Sequence, residues 1–331
     1  MSRRRHDGVS AAGGTTVFEP PRPGHRGRHA QGDRRDRHPQ PLARPAADAA
    51  PAHRARRRAP GRGGRQRLHR RHAGPARRTV PQVLVVPLRR NAGAVARNHG
   101  VAAAGTPYVA FADDDSWWAP GALDRAAAHL DAAPRLALLA ARTLVGPRER
   151  LDPMAAFMAT GPLGEAADLP GPSVLGFLAC AAVVRRADFL AVGGFDPVVF
   201  FMGEEARVAL DLRVAGRGLA YCDDVVAHHH PAPGNGRAGK RALAARNAAL
   251  TAWMRRPLAV AAQLSAALLG AARTDPAARR AAAGLAARLP AALARRRPVP
   301  ADVEDELAAL AAGERAAGYS TAGRTEEPAR S

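Results

Sequence analysis

From residue 81 onward the sequence predicts an α/β fold, a mainly parallel sheet with helices on its faces. Three observations predict it. Short apolar runs (the β-branched Val83–Val86, then Tyr108–Ala112 and Leu136–Ala141) alternate with helix-like stretches. Thr106-Pro107, Pro120 and Pro134 punctuate the changes. One run ends in three consecutive acids, Asp113-Asp114-Asp115, and open α/β sheets bind ligands at the carboxyl ends of their strands.

The elements follow in order. Val83-Leu84-Val85-Val86 reads as a buried strand, and Asn91 starts a helix running to about Ala104. Thr106-Pro107 breaks that helix, and Tyr108 to Ala112 forms the next strand. Pro120 opens a helix through about Ala132, and Pro134 ends it. Leu136 to Ala141 is a further strand, and Phe177 to Val184 another, with Cys180 read as core. Glu204-Glu205 opens a helix to about Ala215, and Asp224-Val225-Val226-Ala227 is a strand running into His228-His229-His230.

Composition divides the chain into four parts. Residues 1–80 hold 21 Arg and no Lys against 5 acids, a net of +16 out of +21, which leaves +5 for residues 81–331. That segment is poor in aromatic and β-branched residues, so it reads as disordered or aberrant. It has neither aromatic interleaving for base stacking nor zinc-ligand spacing, so nucleic acid is not an expected partner. Its Arg/Pro/Ala/Gly/His mixture also suits a GC-rich gene read out of frame, which makes it a candidate frame-shifted first βαβ unit. Residues 81–240 form the α/β domain with that unit incomplete, 241–317 an Ala- and Arg-rich helical extension, and 318–331 a disordered tail.

Two cysteines imply no disulfide framework, and the N-terminus lacks the apolar core of a secretory signal. The apolar stretch Leu258 to Ala272 is interrupted by Gln263 and Ser265 and is too short to span a bilayer. A cytoplasmic protein is expected, with its Arg-punctuated helices able to lie on an anionic membrane surface.

The acid triplet has two readings. One is an acidic loop capping the next helix, with Ser116 and Pro120 at its start. The other is a site for a divalent cation, since Mg²⁺ and Mn²⁺ take carboxylate oxygens together with those of a diphosphate. Extended backbone places Asp113 and Asp115 on one face. Glu204 and Glu205 are adjacent acids at a helix start, where the dipole favours carboxylates and mutual repulsion pushes one pKa up. Trp117 and Trp118 either stack on a sugar or pack under the next helix.

The runs Asn91-x-Gly93-x-x-x-Arg97-Asn98 and Tyr108-Val109-Ala110-Phe111-x-Asp113-Asp114-Asp115 resemble family 2 glycosyltransferases of the GT-A (Rossmann-like) fold. So do Gly193-Gly194-Phe195-Asp196, Phe200-Phe201-x-Gly203-Glu204-Glu205 and the strand that ends in His228. The resemblance covers roughly residues 81–255 and lacks the family's first strand and its nucleotide-contacting acidic loop. It implies a nucleotide-sugar donor, contacted by Asn91, Gly93, Arg97, Asn98, Asp113 and Asp114. It implies a divalent cation, Mn²⁺ or Mg²⁺, on Asp115, Asp113 and His228. Glu205 would be the base, with Glu204 beside it, and Gly193, Gly194, Phe195, Asp196 and Trp117 would face the acceptor. The acceptor would be a glycan, a lipid-linked group or a small molecule, and transfer would invert the anomeric centre.

Three other readings stay open. A nucleotidyltransferase also uses strand-end carboxylates with Mg²⁺, but has no need of the Gly193–Asp196 and Glu204-Glu205 segments. A basic nucleic-acid binder would act through residues 1–80. A catalytically impaired glycosyltransferase remnant would follow from a disrupted first unit.

Overall fold

The computed structural model describes residues 8–11, 15–18, 83–231 and 237–318. The order is β1 (Gly8–Ala11), β2 (Thr15–Phe18), β3 (Leu84–Val86), α1 (Val95–Ala103), β4 (Tyr108–Asp113) and β5 (Ser116–Trp118). Next come α2 (Ala122–Ala132), β6 (Leu136–Val145), β7 (Arg150–Leu151), α3 (Pro153–Ala159), a 3₁₀ turn (Ala179–Ala181), β8 (Ala182–Arg185) and α4 (Arg186–Ala191). Then follow α5 (Glu205–Val214), β9 (Gly218–His229), α6 (Arg237–Arg255), α7 (Leu258–Ala271), α8 (Pro276–Ala294) and α9 (Ala301–Ala316).

One sheet runs β3-β1-β2-β4-β8-β6-β9-β5, with β7 on β6. The α/β class and the central sheet with flanking helices are as the sequence predicts. The strand directions are more mixed than predicted. Among the described strands only β1–β3 and β6–β9 are parallel, because β8 enters between β4 and β6 antiparallel to both, and β5 runs antiparallel to β9. Two short strands also come from the segment whose composition predicts no order: β1 pairs with β3, and β2 with β4. Gly8 to Phe18 contains no charged residue and ends in Thr-Thr-Val-Phe, which suits a strand better than the Arg-rich sequence that follows. The rest of the 1–80 expectation, and the tail from residue 319, lie outside the described residues.

Alternation along β4 divides the core. Val109 and Phe111 pack on one face of the sheet with Phe189 and Phe195. Tyr108 and Ala110 pack on the other with Leu123 and Leu130 of α2 and with Leu139. Both faces are covered, so β4 reads as an uninterrupted apolar run. The run predicted as a strand over 177–184 is strand only from Ala182, with the 3₁₀ turn before it.

Ser116 does not start a helix. Ser116–Trp118 pairs with β9, Trp117 opposite His228 and Ser116 opposite His229. The helix waits until after Gly121, which sits at φ +73° where a side chain is disfavoured. This pairing lays the acid loop over the histidine end of β9.

Helices α6, α7 and α8 surround a third core of Leu250, Met254, Leu268 and Leu285, and Val198 and Val199 insert into it. Arg213 of α5 also binds Glu306 of α9, at 2.7 Å. No helix among the described residues is long and apolar enough to cross a membrane.

Candidate active site

Arg97 is the hub. It lies on α1, 5% exposed, with Nη2 2.7 Å from Asp113 Oδ1 at the end of β4 and Nη1 3.3 Å from Glu204 Oε1. Its guanidinium also sits 5.6 Å above the Phe195 ring. Three remote pieces of chain are thus joined by one cation. Burial pulls the Arg97 pKa down, but Asp113 and then Glu204 and Glu205 outweigh it, and the net direction is upward. The sequence suggests Arg97 for a nucleotide phosphate. In the folded chain its guanidinium is instead engaged by the two carboxylates.

Glu204 is 2% exposed, and its Oε2 makes no hydrogen bond among the described residues. Burial, then the charge of Glu205, pushes its pKa up to about 8, against the pull of Arg97. Glu205 is half-buried and begins α5, in the first turn where the helix dipole favours a carboxylate. The turn that presents the pair is strained: Phe200 and Met202 have φ of +70° and +74°, and Gly203 +77°.

The open side of the site is built from β5 and β9. Asp114 is exposed, and Asp115 is half-buried. Asp115 Oδ1 lies 3.4 Å from His229 Nε2, and its carbonyl accepts a 2.8 Å bond from the His230 amide. His228, the histidine the sequence favours beside Asp115, faces elsewhere. Its Nδ1 is 2.5 Å from Glu149 Oε2, and its ring stacks on Trp117 with centroids 5.2 Å apart. The cause is the β5–β9 register, which sets Trp117, not Asp115, against His228. His230 reaches Glu149 Oε1 at 3.2 Å and meets Trp117 edge-on. Two residues the sequence reading passes over therefore enter the site, His229 and Glu149. Glu149 carries a local signal only in its backbone, with φ +50°. Trp117 is 44% exposed, so one of its faces stays available while the other covers His228.

The donor set suits a hard divalent cation. Asp115 and His229 stand at a separation that adjacent ligands of one octahedral ion can take up, and Asp115 is partly open to solvent. Asp113 keeps one oxygen free of Arg97. Asp113, Asp115 and His228 do not converge on one point; among the described residues the only such convergence of three ligand atoms is His129 of α2 with Cys222 and Asp224 of β9.

The remaining predicted residues hold backbone. Asn91 Oδ1 accepts the Gly93 amide at 2.9 Å. Gly93 sits at φ +58°, and any Cβ there would collide with the Phe200 carbonyl oxygen, which itself accepts the Ala94 amide at 2.7 Å. Asn98 spends its carboxamide on the acceptor-side loop: Nδ2 donates to Phe195 O at 2.9 Å and to Gly193 O at 3.3 Å, and Oδ1 accepts the Phe195 amide at 2.9 Å. A Cβ on Gly194 would lie 2.5 Å from Asn98 Oδ1. Phe195 is buried against Phe111 and Phe189. Asp196 is buried, accepts the Val198 amide at 2.7 Å and pairs with Arg207. Cys180 is buried and its thiol is pushed up by burial, so it is no nucleophile.

Residues 71–193 match the family model of glycosyl transferase family 2. This segment is similar to that family. The match covers α1, β4 and the acid triplet, and it ends at Gly193, before Glu204, Glu205 and the histidines. No curated protein matches the sequence. Among solved structures, a mannosyltransferase from Pyrobaculum calidifontis in complex with GDP-Man and Mn²⁺ is 21% identical, with 74% of this chain and 66% of that chain covered and a TM-score of 0.41. GalNAc-T7 with UDP, GalNAc and Mn²⁺ is 14% identical over 52% and 36% of the two chains, with a TM-score of 0.40. TarS 1-349 of S. aureus with UDP-GlcNAc is 17% identical over 50% of each, with a TM-score of 0.37. The chain thus spans from about a third to two thirds of the length of these structures.

Proposed function

We propose that the protein is a cation-dependent, inverting glycosyltransferase that moves a sugar from a nucleotide-sugar donor to an acceptor hydroxyl. The observation that carries this reading is the Arg97 bridge. It fixes the end of β4 to the start of α5, so that Asp115 and Glu205, both partly open, stand on connected and rigid supports.

Asp115, with Asp113 and His229 near it, would hold a divalent cation, which would supply Lewis-acid stabilisation to the leaving diphosphate. The chain's own residues do the rest. Glu205 orients the acceptor hydroxyl and takes its proton as the oxygen attacks the anomeric carbon and the bond to the diphosphate breaks. Glu204 is too buried to meet an acceptor. Arg97 holds it, and burial, then repulsion from Glu205, raises its pKa. Trp117 offers an aromatic face to a sugar ring, and Asn98 holds the Gly193–Phe195 turn on the acceptor side.

A thermal-shift panel of nucleoside diphosphates with and without Mn²⁺ tests the donor half. At least one should raise Tm only when Mn²⁺ is present, and Asp115→Asn should remove that shift. No cation-dependent shift with any nucleotide counts against the reading.

One further reading is favoured by a specific observation. The family match begins at residue 71, so the residues before it lie outside the matched segment. An N-terminal unit altered by a frame error would leave an impaired donor pocket. The gene decides: an alternative frame encoding a continuous strand–turn–helix pattern there supports this, and none refutes it.

A further inference from the structure

The turn before Glu204 is held by an unusual concentration of donors. Its four consecutive carbonyls, Val199 to Met202, all accept hydrogen bonds from donors outside the turn. The Ala94 amide takes Phe200 O at 2.7 Å. Asn247 Nδ2 takes both Phe201 O at 2.5 Å and Met202 O at 2.7 Å. Arg246 Nη2 reaches Val199 O at 3.4 Å. Asn247 is fully buried, and its own Oδ1 accepts from Arg246 Nε at 2.9 Å and Nη2 at 2.7 Å, so its amide orientation is fixed. Behind Arg246 the helix α8 packs at Gly284, where a Cβ would lie 3.1 Å from Arg246 Cδ. A turn with two non-glycine residues at positive φ persists only when its surroundings over-determine it, and α6 supplies most of those surroundings.

We infer that Asn247, on α6 of the helical extension, is a positioning residue: it locks the Phe200–Gly203 turn and so fixes where Glu204 and Glu205 stand. The extension is then part of the active site's frame rather than an appendage. No side chain of α6 need touch substrate for this. The kinetic consequence rests on the transfer reading above; the structural consequence does not.

The test uses the full chain with Asn247→Ala and, as a variant that keeps one hydroxyl donor, Asn247→Ser. Hydrogen exchange of residues 199–206 should quicken by about 10-fold or more in Asn247→Ala, less in Asn247→Ser, with β4 and β6 unchanged. The Glu204 carboxyl, followed by carbon NMR and assigned with Glu204→Gln, should titrate well below its wild-type position as it gains water. If transfer is measured, kcat should fall by about 10²-fold at unchanged donor KM, with the pH limb of kcat displaced. A merely structural residue would loosen the whole α6–α8 core and leave the Glu204 titration and the pH limb where they were. Wild-type exchange over 199–206 and a wild-type Glu204 titration in both variants overturn the inference. Should the wild type transfer no sugar to any acceptor, the exchange and titration still decide the role of Asn247, and only the transfer reading falls.

Discussion

The two sides of the site are built on opposite principles. On the Arg97 side, one buried cation is spent on Asp113 and Glu204, and Asn247 and Asn98 close the surrounding backbone turns. On the Asp115 side, the groups are half-exposed and engage each other through histidines, at distances from 2.5 to 3.4 Å. The dry side supplies fixed geometry. The wet side keeps carboxylate and imidazole atoms partly open to solvent. The difference teaches that a conspicuous acid triplet is not one unit: Asp113 is tied to Arg97, Asp115 stands beside His229, and Asp114 faces solvent.

Substitutions on either side should separate these roles. The largest effect is expected at the seam. Glu205→Gln should lower transfer by about 10²–10⁴-fold with nucleotide affinity kept, as measured by turnover beside a binding titration. Next comes the dry side. Arg97→Met removes the shared partner of Asp113 and the buried Glu204 carboxyl and should cost about 3 kcal/mol of stability in denaturant unfolding; a loss within about 0.5 kcal/mol would mean the bridge is not structural. On the wet side, Asp115→Asn should weaken cation-dependent nucleotide binding by about 10-fold or more at near-normal stability, which a titration with and without Mn²⁺ reads.

A smaller effect is expected from pH. The Glu204 pKa is pushed up to about 8 in the folded chain, above the ordinary carboxylate value of about 4.3. The folded state therefore binds the extra proton, and the stability it contributes is full below about 4.3 and lost as pH rises towards 8. Unfolding between pH 5 and 8 should show this slope, and Glu204→Gln should flatten it. The smallest effect belongs to Asp114→Asn, which should move stability by less than about 0.5 kcal/mol because the residue is exposed.

Much of the frame was legible in the residues. β4 reads as a strand because every position from Tyr108 to Ala112 is apolar, and it is buried on both faces. Glu204-Glu205 reads as a helix start, and α5 begins there. What was not legible depends on pairing between distant segments. Which histidine faces Asp115 is set by the register of β5 on β9, and a tract of three histidines carries no sign of it. Arg97 suggests a phosphate contact until Glu204, 107 residues away, is brought to it. The antiparallel entry of β8 follows a long loop with no motif. Asn247 sits in an alanine-rich helix whose composition suggests only a helical face, and nothing local shows that two carbonyls wait opposite it.

The central claim is that the strand-end acids and Glu205 work together on a nucleotide sugar. The most direct measurement is release of nucleoside diphosphate from a panel of nucleotide sugars, with water as the default acceptor, with and without Mn²⁺. Cation-dependent release from at least one donor by the wild type, lost in Glu205→Gln and in Asp115→Asn while Glu205→Gln still binds the nucleotide, is the predicted result. Release from no donor, or release untouched by either substitution, would contradict it.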